Sequence, residues 1–177
     1  MQSLLSAHFD QLPDSERLVL VTLRARLADR HSAACVQTLY RIACGLAWME
    51  RVVAAFEAMV GALQVGGRRP FLAPDLSADR VSPDERCLLA LLAAHQLGAR
   101  AHQEAGVLWL ARPQFHPSTQ RCAAVFAHTL ARAGCALSPC WIHADEPACD
   151  PPPAAGVGNA HRLARLPGPR LVEQASG

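Results

Sequence analysis

Apolar positions recur at helical spacing along most of the chain, and the densest run lies at 82–98. There Leu88, Leu91, Leu92 and His95 fall on one face at i, i+3, i+4 and i+7, while Leu89 and Leu97 widen the apolar surface. The punctuation agrees with the period. Ser82 is placed to accept a backbone N–H, Pro83 sits where a helix has no donor to lose, and Glu85 follows at the capping-box position. Gly98 supplies a left-handed stop. A helix apolar around most of its circumference belongs in a core, with neighbours on several sides.

The same signals predict helices before and after it. Asp14 caps a segment at about Ser15–Asp29, with Leu20, Leu23, Leu27 and Val19 as its stripe and Arg17, Arg24 and Arg26 facing out. A second segment begins near Ser32 and carries Cys35, Leu39, Ile42 and Leu46 at helical steps. Gly45 predicts a break, because glycine inside a helix costs about 1 kcal/mol against alanine. Beyond it, Leu46–Leu63 presents Met49, Val53, Phe56 and Val60 to the core, and Gly66-Gly67 ends the helix. Residues 66–81, rich in Gly, Pro and Asp, read as a linker inside the domain. Segments at Ala101–Ala111 and Ser118–Ala133 follow, the latter with Cys122, Val125, Phe126, Thr129 and Leu130 on one face. The expected fold is all-α: one orthogonal or bundle-like domain of about five to six helices over residues 14–137. A short arm at 1–13 precedes it, and a proline-rich tail at 138–177 follows. At least 150–177 of that tail is expected to be disordered or loosely attached.

Composition narrows the class. Aromatics make up only 5% of residues while alanine and leucine abound, which suits close helix packing better than a sheet. Every one of the 17 basic residues is arginine, as the codon usage of a GC-rich bacterial genome would give. A net charge of +2 is not the basic surplus of a nucleic-acid binder. The most apolar long window, Ile42–Leu63, contains Glu50, Arg51 and Glu57, so no membrane span is expected. No charged-then-apolar leader is read at the N-terminus. The seven cysteines are therefore expected to be reduced thiols in the cytoplasm.

The layout of two short helices, the Gly45 break, a long helix ending near Leu63, an Ala73-Pro74 loop and a Ser82-Pro83-Asp84-Glu85 helix start resembles an uncharacterised family of small helical proteins from alphaproteobacteria. The resemblance covers about residues 15–137 and implies a helical fold without implying an activity. Where that family carries cysteines after the Ala-Pro, this chain has Asp75, Leu76 and Ser77.

Several residue sets could carry chemistry. Cys135, Cys140, His143 and Cys149 follow a C-x4-C-x2-H-x5-C pattern, and three thiolates with an imidazole make a tetrahedral zinc set; unrelated thiols at the edge of the fold are the simpler reading. His95 and His102 flank the Gly98 turn, with His116 and His128 further on; such imidazoles can bind metal or move protons, although His95 among leucines reads as structural. Cys87, beside Arg86 near a helix start, is the best nucleophile candidate, and its apolar neighbours favour a core thiol. No nucleophile elbow or phosphate-cradling glycine loop is present. The paired helices at Ser15–Asp29 and Ser32–Cys44 loosely match a helix-turn-helix, but Cys35, Val36, Gln37, Thr38 and Arg41 offer little base-reading chemistry. Arg24, Arg26, Arg30, Arg68, Arg69 and Arg80 could form a phosphate-binding patch or simply solvated helix faces. Trp48, Trp109 and Trp141 could anchor an interface or fill the core.

The leading functional expectation is a non-enzymatic cytoplasmic helical protein that works through protein–protein contacts, such as an accessory subunit, with no cofactor. The alternatives are a nucleic-acid-binding regulator using the N-terminal helix pair and arginines, and a zinc protein using Cys135, Cys140, His143 and Cys149.

Overall fold

The computed structural model describes residues 8–28 and 33–142. Six α-helices occur among them: α1 (Asp14–Ala28), α2 (Ala33–Cys44), α3 (Leu46–Gly66), α4 (Pro83–Leu97), α5 (Arg100–Leu110) and α6 (His116–Arg132). Three short 3-10 turns, Phe9–Gln11, Pro113–Phe115 and Pro139–Trp141, punctuate them, and no strand is present among the described residues. The all-α expectation holds. None of these helices is long and apolar enough to cross a membrane.

Helix α3 packs along α6, α6 also lies against α4, and α4 carries α5 on its other flank; α2 rests on α3, and α1 on α2. The centre of this stack is aromatic despite the low aromatic content. Tyr40, Phe56 and Phe126, from α2, α3 and α6, meet with ring centroids 5.6–6.4 Å apart in edge and tilted arrangements. The Tyr40 hydroxyl lies 2.9 Å from Thr22 Oγ1 on α1, so the phenol's polar end has a partner inside the core. Burial raises the Tyr40 pKa, with the Thr22 hydrogen bond opposing.

Helix α4 starts as its sequence dictates. Ser82 Oγ accepts the Glu85 N–H at 3.2 Å, and Glu85 Oε2 accepts the Ser82 N–H at 2.8 Å, closing the capping box. Gly98 closes the other end at φ 72, and Leu88, Leu89, Leu91 and Leu92 are fully buried. The α2–α3 break falls at Gly45, whose φ of 78 an L side chain rarely adopts.

Four expectations are corrected. The buried stripe of α2 is Val36 and Tyr40, one position out of phase from the predicted Cys35, Leu39, Ile42 and Leu46; Cys35 is exposed and Leu46 is 73% exposed. In α6 the core face is Thr119, Ala123, Phe126, Ala127 and Leu130, so Val125 points outward. Leu97 is also exposed. Finally, Arg24 does not face solvent: it is 1% exposed. Its Nε and Nη2 donate to the two Glu85 carboxylate oxygens at 2.7 and 3.1 Å, and its nitrogens also reach the Ala78 and Arg80 carbonyls.

The packed unit reaches past residues 14–137 at both ends. Leu12 is buried, the Phe9 N–H donates to the Asp79 carbonyl, and Phe9 lies under the Arg24 guanidinium at 4.7 Å. Trp141 and Ile142 are buried as well. A fully buried Glu16 on α1 holds this end: its Oε1 accepts the Ser138 N–H at 2.6 Å and the Trp141 indole N–H at 3.3 Å. Burial pushes the Glu16 carboxyl up, and these two donors offset part of that. The segments expected to be a loosely attached tail, 150–177, lie outside the described residues.

Candidate functional site

A groove opens beside the point where the chain leaves α3 and α5. Gly67 and Ala111 form an antiparallel bridge, the Arg68 N–H donates to the Leu110 carbonyl at 3.2 Å, and the Arg112 N–H donates to the Gly66 carbonyl at 2.8 Å. The approach depends on glycine: a Cβ at Gly66 would stand 2.7 Å from Phe115 Cβ. These crossings set Arg68 and Arg112 next to each other on the rim of a groove of about 550 Å3. Its floor is apolar, built from Leu23, Leu27, Val60, Leu63 and Phe71.

The rim cations have no acidic partner among the described residues. Arg68 Nε donates to the Ala111 carbonyl at 3.0 Å, and Arg112 donates to the Val65 carbonyl. Arg69 differs, because its Nη2 donates to Asp84 Oδ1 at 2.6 Å. Asp84, in the first turn of α4 and only 1% exposed, also accepts the Leu72 N–H at 2.9 Å and the Trp109 indole N–H at 3.3 Å. One buried carboxylate thus fixes three surface groups: Arg69, Leu72 and Trp109. Leu72 and Trp109 are 55% and 52% exposed, and Arg69 stacks over the Trp109 ring at 5.5 Å. Held Trp and Arg side chains beside an apolar groove are the composition of interface centres.

Among the described residues, His95 and His128 are the candidate histidines whose rings approach each other. His95 is buried, and its Nε2 has no hydrogen-bond partner among the described residues. His128 stands across from it at 6.5 Å between centroids, with its Nε2 on the His95 carbonyl. Burial, and secondarily His128, lowers the His95 pKa, so it is the neutral ring that sits in the core. His116 is engaged by the Ala111 carbonyl, and His102 is exposed on α5. No carboxylate among the described residues hydrogen-bonds any of these four rings.

Of the four residues of the zinc pattern, Cys135 and Cys140 are among the described residues. Cys135 meets Cys44 at the end of α2, with the sulfurs 3.5 Å apart. Cys140 Sγ accepts the Ser138 hydroxyl at 3.0 Å. His143 and Cys149 lie outside the described residues, and among the described residues no three His, Cys, Asp or Glu side chains converge as a metal group. In the thiol pair, the shared hydrogen bond raises the Cys44 pKa and lowers that of Cys135. Cys87 is pushed up to about 12, chiefly by burial, and its Sγ faces the Gly106 carbonyl at 3.7 Å; it is a protonated, half-buried thiol at neutral pH.

The described arginines of the anticipated phosphate patch do not share a face. Arg24 is in the core, Arg26 is paired with Glu57 at 2.9 Å, and Arg30 lies outside the described residues. Only Arg68 and Arg69 join the groove, where Arg112, which sequence reasoning passed over, accompanies them. Trp48 is half-buried between Arg51 and Arg132, and Trp141 fills the core.

No protein-family model matches the chain, and neither the curated proteins nor the solved structures contain a match to it.

Proposed function

We propose that this chain is a non-enzymatic binding module, an accessory subunit that docks an acidic, apolar-anchored segment of a partner protein onto the groove between α1, α3 and the 67–71 loop. The observation that carries the reading is the Arg68–Arg112 pair at the edge of an apolar floor, two guanidiniums whose hydrogen bonds go to backbone carbonyls, Arg112 also lying over the Phe115 ring at 4.9 Å. Such cations keep full charge for an incoming carboxylate, and a planar guanidinium can take it in bidentate fashion. Apolar side chains of the same segment would cover Leu27, Leu63 and Phe71, while Trp109 and Leu72 extend the contact on the α5 side. Charge complementarity favours an acidic protein segment over nucleic acid, because a few arginines on one rim give little of the extended stripe that duplex binding needs.

The test is partner retention by tagged full-length protein from its native host, compared between wild type and Arg68→Glu/Arg112→Glu. The reading expects a protein held by wild type, released by the double reversal and weakened by salt. Equal retention by both forms would refute it. Salt-sensitive binding of duplex DNA, abolished by the same reversal, would replace it with the nucleic-acid reading.

A further inference from the structure

We infer that Cys44 and Cys135 form a modification site, a dithiol that a low-molecular-weight disulfide such as oxidised glutathione converts to an intramolecular bond. The two residues are 91 positions apart in sequence, yet packing of the α2 end against the segment after α6 brings their sulfurs to 3.5 Å. They are the only two sulfurs within hydrogen-bonding distance of each other among the described residues. A disulfide needs the sulfurs closer by about 1.5 Å, a movement that side-chain rotation and small backbone shifts supply. Both sites are placed to give. Cys44 is the last residue of α2, directly before Gly45 at φ 78, and Cys135 lies just past α6, after Gly134 at φ 86, so both stand at helix ends.

Exposure sets the order of events. Cys135 is 7% exposed, whereas Cys44 is half-buried and is the sulfur an external reagent meets. The Cys44 thiol passes its proton to the Cys135 sulfur, the lower-pKa partner of the pair, as its own more exposed sulfur attacks one sulfur of the reagent. The reagent's S–S bond breaks, its first thiol leaves carrying a proton, and a mixed disulfide remains on Cys44. Cys135 then loses its proton and attacks the Cys44 sulfur. The second reagent thiol leaves with that proton, and the Cys44–Cys135 bond closes. The protein dithiol has lost two electrons, and one disulfide has become two thiols. The new bond would staple the α2–α3 corner to the end of α6 and enclose most of the helical unit in one covalent loop.

The experiment treats reduced full-length protein with oxidised glutathione and maps the products by non-reducing peptide mass spectrometry, with thermal unfolding in parallel. The expected product is a linked pair of peptides containing Cys44 and Cys135, lighter by two hydrogen atoms. Its thermal midpoint should exceed that of the reduced form by roughly 5–15 °C. Cys44→Ser should show neither the link nor the shift, and Cys135→Ser should stop at a glutathione adduct on Cys44. A stable adduct on wild-type Cys44 with no ring closure would overturn the inference. So would linkage of Cys135 to Cys140 or Cys149, or protection of Cys135 by bound zinc. The wild-type peptide map decides the matter even if a serine variant fails to fold.

Discussion

Replacing Arg24 by methionine tests the least expected contact in the fold. Both side chains of the Arg24–Glu85 pair have no solvent exposure, and the guanidinium meets the carboxylate at 2.7 and 3.1 Å. Methionine preserves much of the aliphatic volume but leaves the Glu85 carboxylate buried with only the backbone donor of Ser82. Breaking a buried pair from one side costs about 3–5 kcal/mol, because the orphaned charge has lost both water and partner. The carbonyls of Ala78 and Arg80 also lose their donors, although that loop is open enough for water to replace them. Set against a total stability of roughly 5–15 kcal/mol for a domain, the variant should lose a large fraction of its stability. Urea denaturation followed by helical circular dichroism would show the midpoint fall at nearly constant slope. Removing both charges, as Arg24→Met/Glu85→Met, should recover part of the loss despite the damaged cap, since no unpaired charge remains. A single-variant cost below about 1 kcal/mol, or a double variant that merely adds the two single costs, would refute this account of the pair.

Other perturbations reach other parts of the structure. Gly66→Ala should destabilise by about 1–3 kcal/mol through overpacking against Phe115, read from the same denaturation curves; an unchanged midpoint would mean the contact of α3 with the Pro113–Phe115 turn is looser than described. Leu92→Ala should cost about 2–5 kcal/mol from lost burial and the cavity left behind, whereas a surface-like change would remove α4 from the core. The lowered pKa of His95 means that the unfolded state binds its proton first, so this residue's contribution is intact above the ordinary value of 6.5 and is lost as pH falls below it. Stability measured from pH 7 to 5 should therefore drop more steeply for wild type than for His95→Leu. Glu16, raised in the opposite sense, is common to both proteins and cancels in the comparison.

Signals contained within a few residues were legible. The Ser82–Glu85 capping box, the Gly45 break and the Gly98 stop each depend on local backbone geometry, and each appears where the sequence puts it. Helix phase was harder to read. In an alanine- and leucine-rich chain two adjacent stripes are nearly equally apolar, and only the presence of Phe56 and Phe126 opposite α2 decides for Val36 and Tyr40 over Cys35 and Leu39. Residues whose partners are distant in sequence were hidden. Arg24 looks like any helix-surface arginine until Glu85, 61 positions on, is folded against it. The sequence places Cys135 in the local C-x4-C-x2-H-x5-C pattern, but nothing in it announces that α2 brings Cys44 to within 3.5 Å. The groove was invisible for the same reason, being made by two helix ends and a loop, with Arg112 carrying no motif of its own.

The proposed docking role is tested most directly by measuring how one partner distinguishes the groove from the rest of the surface. A protein co-purifying with the wild-type chain would be titrated against wild type, Arg68→Glu/Arg112→Glu and a control reversal of the exposed Arg41 on α2, at low and high salt. The account predicts that the control binds like wild type, that the groove variant binds at least tenfold more weakly while keeping its helical spectrum, and that salt narrows the difference. Equal affinities for all three proteins, or a loss confined to the Arg41 variant, would contradict it.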